Sequence, residues 1–414
     1  MTRTGNGARS LDGPWVDRRA AGHRLNGMTE PGSIEGVTAN PDALLAACRQ
    51  RAAEARREVA QVAAALSGPS HGILTDRQRA QIGNMLRRLV GEIDSALCNG
   101  FVAALERRDD LRRDAVADFG ASAPGGAYER LAAGGTILDS SLIEAALHRV
   151  LEHALEGELR PSVVDAWQTD SDAGTLRVPL AGRWSDRLLG EPLRDYMVDR
   201  AGRTDGYGEP VIRFEDLEPA LVTRLHWRLA ALLRARAAVA LDYGPAGFDA
   251  EIQRAVRAAL DANAERARGP SAAVRAAEAL ARESTFDGTL MIDILRRAEV
   301  PLFFAVFARM TGLRPTLVRR LVFEPDGLGL AIAARAVGMS ADQLVAVYRM
   351  TRHARAPARV SASDDAGRLA RVFNRIAAED AARVCDYWRL PQDYLEAVWR
   401  VGQTSAGERA ADRI

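Results

Sequence analysis

The sequence predicts an all-α protein in which long N-terminal helices precede an array of short helix pairs. Two long stretches after residue 40 carry apolar residues at helical spacing and begin at helix-capping residues. Further along, a helix that ends at glycine and is followed by a second helix occurs around Gly312 and again, 26 residues on, around Gly338. Such a recurrence is typical of stacked helical repeats.

The N-terminus divides into a tail and a first helix. Residues 1–39 are rich in Gly, Arg, Thr and Asn and hold too few apolar side chains to offset the entropy of ordering, so we expect a disordered tail. Within it, Met28 is a second possible start of translation. Asn40 and Pro41 fit the N-cap and first position of a helix, and the Ala-rich run that follows predicts one helix as far as Ser67.

A second long helix is predicted to open at Thr75, where Thr75 and Gln78 have the spacing of a capping box. Asn99 and Gly100 either end or kink it before a further run to Asp118. We expect these two long helices to pair antiparallel. With another amphipathic helix over 138–158, they form a predicted N-terminal helical region from 40 to 160.

Residues 161–213 differ in composition from the regions on either side. Four prolines interrupt any helical pattern and glycines cluster between them. Both a loop-rich connector and an insertion with short helices fit this composition, and the sequence does not choose between them.

A C-terminal helical-repeat domain is predicted from 214 to 400. It opens with strong helical patterns near 214–242, 247–266 and 270–283, and continues with short helices separated by joints of two to four residues. Short helices of this kind must stack on their neighbours to bury an apolar face. A weaker third copy of the repeat places Arg389 where the glycine stands, helices over 366–400 are expected to cap the array, and 401–414 is predicted to be a disordered tail.

The first two copies also carry a resemblance to a known family. It rests on three segments, which are Phe303-Phe304-Ala305-Val306-Phe307-Ala308-Arg309-Met310-Thr311-Gly312-Leu313, Val318-Arg319-Arg320-Leu321-Val322 and Gly327-Leu328-Gly329-Leu330-Ala331-Ile332-Ala333-Ala334-Arg335-Ala336-Val337-Gly338-Met339. In these residues the chain resembles an all-helical, largely alphaproteobacterial family, domain of unknown function 2336. The resemblance is clear from 284 to 350 and implies a HEAT-like fold in a bacterial cytoplasm. It implies no activity and no site residues.

Composition limits the chemistry. The 56 basic residues are all arginine, so neither a Walker-type phosphate loop nor a Schiff-base lysine is possible. Three widely separated cysteines suggest neither a disulfide framework nor a zinc site, and they favour a reducing cytoplasm. No apolar run approaches the roughly 18 residues that a membrane span needs. We therefore expect a cytoplasmic protein that is not an enzyme and has no cofactor.

Individual candidate sites favour structural roles. Asp109, Asp110 and Asp114 lie among arginines, so ion pairs explain them better than magnesium does. His148 and His153 are five residues apart and point away from each other on a helix, which disfavours a shared metal. Cys385 fits a small buried side chain and has no histidine near it in sequence.

The repeat array favours binding to another protein, because stacked helices form extended faces. Two pairs of basic residues, Arg296-Arg297 and Arg319-Arg320, would suit an acidic segment of the partner. Trp388 and Trp399 fit either aromatic anchors of a partner-binding groove or the core of the cap. Our hypothesis is a non-enzymatic scaffold or regulatory adaptor, with its oligomeric state left open.

The alternative is a DNA-binding regulator that uses a helix-turn-helix-like segment at 330–359. Its recognition helix would run from Ser340 to Tyr348 and include Gln343, and the basic stretch after it would contact phosphates. That stretch holds Arg349, Arg352, Arg355 and Arg359. Against this alternative, the same spacing occurs around Gly312, and a net charge of +1 provides no global attraction to nucleic acid.

Overall fold

The computed structural model describes residues 41–67, 74–121, 126–135, 139–172, 186–242, 244–267, 269–283, 285–354, 365–391, 394–395, 397–398 and 401. The regular elements within these ranges are helices, together with an isolated antiparallel bridge between Thr204 and Pro210. The all-α prediction is confirmed. The HEAT-like arrangement of the array stays a prediction. The predicted tail 1–39 lies outside the described residues, and so does the predicted tail 401–414 except for Val401.

The helices have the following bounds. The first part of the chain forms α1 (Pro41–Ser67), α2 (Asp76–Leu105), α3 (Arg113–Ala121), α4 (Ala127–Ala133) and α5 (Ser140–Asp172). The middle forms α6 (Asp186–Ala201), α7 (Pro219–Ala240), α8 (Asp249–Arg266) and α9 (Ala272–Glu283). The last part forms α10 (Gly288–Arg296), α11 (Val300–Thr311), α12 (Pro315–Phe323), α13 (Leu328–Ala336), α14 (Ala341–Met350), α15 (Asp365–Arg375) and α16 (Ala378–Trp388).

The two long N-terminal helices begin where their capping residues predict. In α2, the Gln78 amide donates to the Thr75 hydroxyl over 3.2 Å, and the Thr75 amide donates to the Gln78 side chain over 3.0 Å. The helix passes through Gly100 without a break, because Phe101 and Leu105 continue its buried face. The expected antiparallel pair is not the main packing of α1, which lies on α5 and α16 instead.

Buried side chains form two cores, and their division differs from the predicted domains. The first core joins α2, α3, α4 and the start of α5 to α7 and α8. The second joins the later part of α5 to α9 and the short helices α10 to α16. Because α5 contributes Val150 to the first core and Leu155 to the second, it links the two. The helices α7 and α8, placed by sequence in the C-terminal domain, therefore pack with the N-terminal region.

The range predicted as a connector or an insertion contains helical segments in its described residues, 161–172 and 186–213. Helix α5 continues to Asp172, and α6 holds Pro192 within its span. Residues 202–213 form turns that lead into a short 3₁₀ turn, Phe214–Asp216. Whether the range is a loop-rich connector or an insertion with short helices stays a prediction.

The turns expected at Gly312 and Gly338 are present. Both glycines are left-handed, with φ of +67° and +74°, a conformation that costs other residues a steric penalty. Gly312 is also close to Arg389, whose guanidinium Nε and Nη2 donate to the Thr311 carbonyl at the end of α11 over 3.0 and 2.6 Å. In the described part of the chain, no helix is both long enough and apolar enough to cross a membrane.

Candidate functional site

A cleft of about 840 Å³ opens where α1 passes over the junction of the two cores. This volume lies within the range of small-molecule pockets. Helix α1 forms one wall, and α5, α12 and the start of α13 form the other. Its apolar lining includes Val59, Val62, Leu147, Leu151, Phe323 and Trp388.

Arg320 lies in this cleft, and the described residues provide no partner for its charge. In α12, Leu317, Val318 and Leu321 pack into the core, and Arg320 lines the cleft in a partly buried position. Among the described residues, none forms a hydrogen bond or an ion pair within 4.0 Å with its guanidinium. Burial lowers the pKa of Arg320, yet an arginine stays protonated in proteins. The cleft therefore holds a fixed positive charge, which is costly when it is buried and unpaired.

Two carboxyl groups lie further from this guanidinium. Burial, reinforced by the nearby Asp326, raises the pKa of Glu324 to about 7, and burial raises the pKa of Glu144. Glu324 Oε2 accepts a hydrogen bond of 2.6 Å from the Gly329 amide. A Cβ at position 329 would lie 2.7 Å from the same oxygen, so glycine permits this approach. Both carboxyls therefore hold their protons more tightly than an exposed glutamate does, and neither lies within ion-pair distance of Arg320.

Three other residues of the cleft, Arg51, His148 and Cys48, are paired or uncharged. Arg51 of α1 forms ion pairs with Asp326 at 2.5 Å and with Glu54 at 2.8 Å, and it joins α1 to the loop before α13. Burial lowers the pKa of His148 to about 3, so its ring, 6.0 Å from that of Phe323, is neutral. Burial raises the pKa of the Cys48 thiol. Such a thiol is not an activated nucleophile.

A second notable feature, the 203–211 hairpin, contacts α2 and α5. The Val211 amide donates to the Arg203 carbonyl over 2.9 Å, and the Asp205 amide donates to the Glu209 carbonyl over 2.9 Å. Arg149 of α5 fixes its base by donating to the Arg203 carbonyl at 2.7 Å and the Val211 carbonyl at 3.2 Å. Backbone bonds and a buried side chain thus hold both ends of the hairpin.

The Arg203 side chain is the centre of a buried ion cluster, which we call the Arg203 cluster. Its guanidinium lies 3.0 Å from Asp216, 3.2 Å from Glu152 and 3.5 Å from Asp199. Glu152 also pairs with Arg149 and Arg319. Burial alone would raise the pKa of Glu152, but these three arginines lower it to about 2.

Tyr207 stands at the tip of the 203–211 hairpin and is 94% exposed. Asp205 Oδ1 accepts hydrogen bonds from the Tyr207 amide at 2.9 Å and the Glu209 amide at 3.0 Å, and Gly208 completes the turn with φ of +78°. The Glu209 side chain accepts a bond of 2.7 Å from Gln81 of α2. The hairpin therefore presents an exposed aromatic side chain on a backbone that many hydrogen bonds fix.

The residues predicted to bind a partner do not form one surface. Arg296 is exposed and pairs with Asp293 at 3.6 Å, and Arg297 beside it is partly buried. Arg319 and Arg320 are both partly buried, and their surroundings differ. Arg319 pairs with Glu152 and lies 5.4 Å from the Phe304 ring centroid, whereas Arg320 lines the cleft.

The two tryptophans of the same prediction have different outcomes. Trp388 is only 7% exposed, belongs to the second core and lines the cleft. This position fits the core of the cap, the other role that the sequence allowed. Trp399 lies outside the described residues.

The helix-turn-helix-like segment is packed rather than free. Ser340 caps α14 by accepting from the Gln343 amide at 3.2 Å, and the Gln343 side chain donates to Thr289 of α10 over 3.2 Å. Helix α14 packs against α10 and α15, which leaves Asp342 and Arg349 as its exposed residues. A recognition helix needs an exposed face to enter a major groove, so this packing does not favour DNA readout.

In the basic stretch after this helix, Arg352 is exposed. The other two predicted phosphate contacts, Arg355 and Arg359, lie outside the described residues. The described part of the stretch therefore presents Arg349 and Arg352 to solvent.

The other sequence candidates have structural surroundings. Asp110 pairs with Arg108 at 2.5 Å, and Asp114 pairs with Arg112. Cys385 is buried, which raises the pKa of its thiol to about 11. Within the described ranges, no group of three or more potential metal ligands comes together.

The sequence predicted neither the cleft nor the Arg203 cluster. The Asp-Gly-Tyr-Gly run at 205–208 is a turn signal that points to the hairpin. No local signal identifies Glu152 as a partner of Arg203, because the two residues are 51 positions apart in the chain.

Residues 189–386 match a bacterial family described as an uncharacterised protein conserved in bacteria, DUF2336. No curated protein and no solved structure matches the chain. The matched segment begins in α6 and ends in α16, so it contains the 203–211 hairpin and Arg320 but not α1. The match confirms the resemblance that the sequence carries between 284 and 350, and in residues 189–386 the chain is similar to the DUF2336 family.

Proposed function

We propose that the chain is a cytoplasmic, non-enzymatic regulatory adaptor that binds another protein through the tip of the 203–211 hairpin. The observation that carries this proposal is Tyr207, an aromatic side chain that is 94% exposed on a fixed turn. Tyrosine is among the residues that dominate the binding energy of protein interfaces. A backbone that is already ordered also lowers the entropy lost on binding.

The charges beneath the hairpin support the same proposal. Burying arginines and carboxylates carries a desolvation penalty that ion pairs repay only with good geometry. Here Arg149 and Arg203 hold the hairpin through its backbone and through three carboxylates. This arrangement keeps a solvent-exposed turn in one conformation. Such fixation suits a turn whose shape a partner recognises.

Photo-crosslinking in cells of the native host tests the proposal. A benzoylphenylalanine residue would replace Tyr207, and a matched control would carry it at Val239, which is 85% exposed on α7. The expected result is a discrete protein adduct at position 207, retained after nuclease treatment and absent at position 239. The same adducts at both positions, or none at 207, would contradict the proposal. Capture that nuclease abolishes would favour the DNA-binding alternative.

A second measurement tests whether the Tyr207 side chain contributes to the affinity for the partner. Once the partner is identified, its affinity would be compared between Tyr207→Ala and Tyr394→Ala, the latter being a tyrosine that is 55% exposed near the C-terminus. Truncation of an interface anchor costs about 2 kcal/mol or more. We expect that loss for Tyr207→Ala only, and equal affinities would refute the assignment of Tyr207.

A further inference from the structure

We propose that the cleft between α1 and α12 binds a small amphipathic anion, an apolar body that ends in a carboxylate, and that Arg320 is the partner of the carboxylate. This site is separate from the 203–211 hairpin, so the inference goes beyond the proposed adaptor function. It would give the protein a small-molecule ligand in addition to a protein partner.

The charge of the ligand follows from the groups that face Arg320. Glu144, Glu324, Arg56 and Arg314 act on it electrostatically, and neither carboxyl group lies within 4.0 Å of its guanidinium. The two acids hold protons more tightly than usual, whereas the guanidinium is always charged. Of these three groups, the guanidinium is therefore the one whose charge does not depend on pH near neutrality, and that charge is positive. A carboxylate is the group that an arginine binds with two parallel hydrogen bonds.

Neutral donors add to this preference. A protonated Glu324 or Glu144 is a hydrogen-bond donor, and the neutral ring of His148 carries one N–H. Within the described residues, the His148 ring and the Glu144 carboxyl form no hydrogen bond. Donors around a fixed cation are complementary to the oxygens of an anion. A cationic ligand would instead meet the repulsion of Arg320.

The apolar part of the ligand follows from the lining. Leu147 and Leu151 of α5, Phe323 of α12 and Trp388 of α16 line the cleft together with Val59 of α1. A cavity of about 840 Å³ is large enough for a long alkyl or polycyclic body. Burying this surface would supply most of the affinity, and Arg320 would set the orientation.

Titration calorimetry of the full chain with sodium dodecanoate, below its micelle concentration, tests the inference. Dodecanol and dodecylamine have the same chain with a neutral and a cationic head. We expect dodecanoate to bind at least about tenfold more tightly than either, the size of one charge-assisted hydrogen bond. Equal binding of all three, or no binding of dodecanoate, would overturn the proposal.

Substitutions of Arg320 test whether this residue is the one that binds the carboxylate. Arg320→Gln should weaken dodecanoate binding by about tenfold or more and leave dodecanol binding unchanged. Arg320→Lys keeps the charge but loses the paired N–H donors of the guanidinium. Its affinity for dodecanoate should lie between those of Arg320→Gln and the wild type. Arg296→Gln, at an exposed arginine outside the cleft, is the matched control and should bind like the wild type. An unchanged affinity in Arg320→Gln would rule out Arg320 as the partner.

The pH dependence provides an independent signature. Glu324, which faces Asp326, Arg51 and Arg320, has a pKa of about 7. As the pH rises from 6 to 8 it ionises, repels the carboxylate and competes for the guanidinium. Dodecanoate affinity should therefore fall several-fold over this range in the wild type and much less in Glu324→Gln. Tyr207→Ala should leave all of these values unchanged, so failure here and failure of the adaptor proposal are distinguishable.

Discussion

Two interior arginines of this protein, Arg203 and Arg320, have opposite surroundings. Arg203 has three carboxylates within 3.5 Å, and one of them, Glu152, is shared with Arg149 and Arg319. Arg320 lines a cleft of about 840 Å³, and the described residues place no ion-pair partner within 4.0 Å of it.

This difference indicates two roles for a buried charge, which are to stabilise the fold and to bind a ligand. Removing one member of a paired cluster leaves the others unpaired in a region of low polarity, so the Arg203 cluster stabilises the native arrangement once it is formed. The Arg320 guanidinium has a desolvation cost and no compensating partner among the residues that the structure describes. In our account, the partner of Arg320 is a ligand.

The largest effect is expected from Arg203→Met. The substitution leaves Glu152, Asp199 and Asp216 without their common partner, and breaking a buried pair costs about 3–5 kcal/mol. Denaturant unfolding measures this loss. Arg349→Met, at an exposed arginine of α14, is the control and should change stability by about 0.5 kcal/mol or less. Equal losses of stability in Arg203→Met and Arg349→Met would show that the Arg203 cluster contributes no more to stability than an exposed arginine does.

Acid unfolding tests how much the ion pairs of Glu152 in the Arg203 cluster stabilise the protein. The folded-state pKa of Glu152 is about 2, below its ordinary value of 4.5, so its contribution is present above pH 4.5 and is lost as the pH falls towards 2. A shift of this size corresponds to about 3 kcal/mol. We expect stability to fall steeply over that interval in the wild type. In Glu152→Gln the fall should be shallower, and an identical acid profile would contradict the assignment.

A smaller change of opposite sign is expected for Arg320→Met. The substitution removes an unpaired charge and replaces it with an apolar side chain of similar length in a partly apolar cleft. Because Arg320 retains some exposure, we expect a gain of only about 1 kcal/mol in the free energy of unfolding. Denaturant unfolding would measure it, and a loss comparable to that of Arg203→Met would show that Arg320 has a structural partner.

The smallest effect on stability is expected for Tyr207→Ala. The side chain is 94% exposed, so its removal should change the free energy of unfolding by about 0.5 kcal/mol or less. Hydrogen exchange of the Tyr207 and Glu209 amides should remain slow, because Asp205 still accepts both. Loss of this protection would mean that Tyr207 itself orders the hairpin.

Local signals in the sequence predicted local structure well. The start of α1 at Pro41, the capping box at Thr75 and the turn at Gly312 all depend on residues within a few positions of each other. Contacts between distant segments were not predictable in this way. The packing of α7 and α8 with the N-terminal core depends on the tertiary arrangement of several helices.

The two neighbours in α12 illustrate this limit. Consecutive helix residues point about 100° apart, so Arg319 and Arg320 meet different surroundings. Arg319 reaches Glu152, which lies 167 residues away in the chain, and Arg320 faces a cleft closed by α1. A single sequence indicates that both residues are basic, but it does not indicate which of them has a partner.

Thermal unfolding of the wild type and of Arg320→Met, each with and without dodecanoate, tests whether the partner of Arg320 is a ligand. We expect the variant to melt at a higher temperature than the wild type in the absence of ligand, and dodecanoate to raise the melting temperature of the wild type much more than that of the variant. A variant that melts lower and gains the same shift with dodecanoate would contradict both expectations, because Arg320 would then stabilise the fold and play no part in binding.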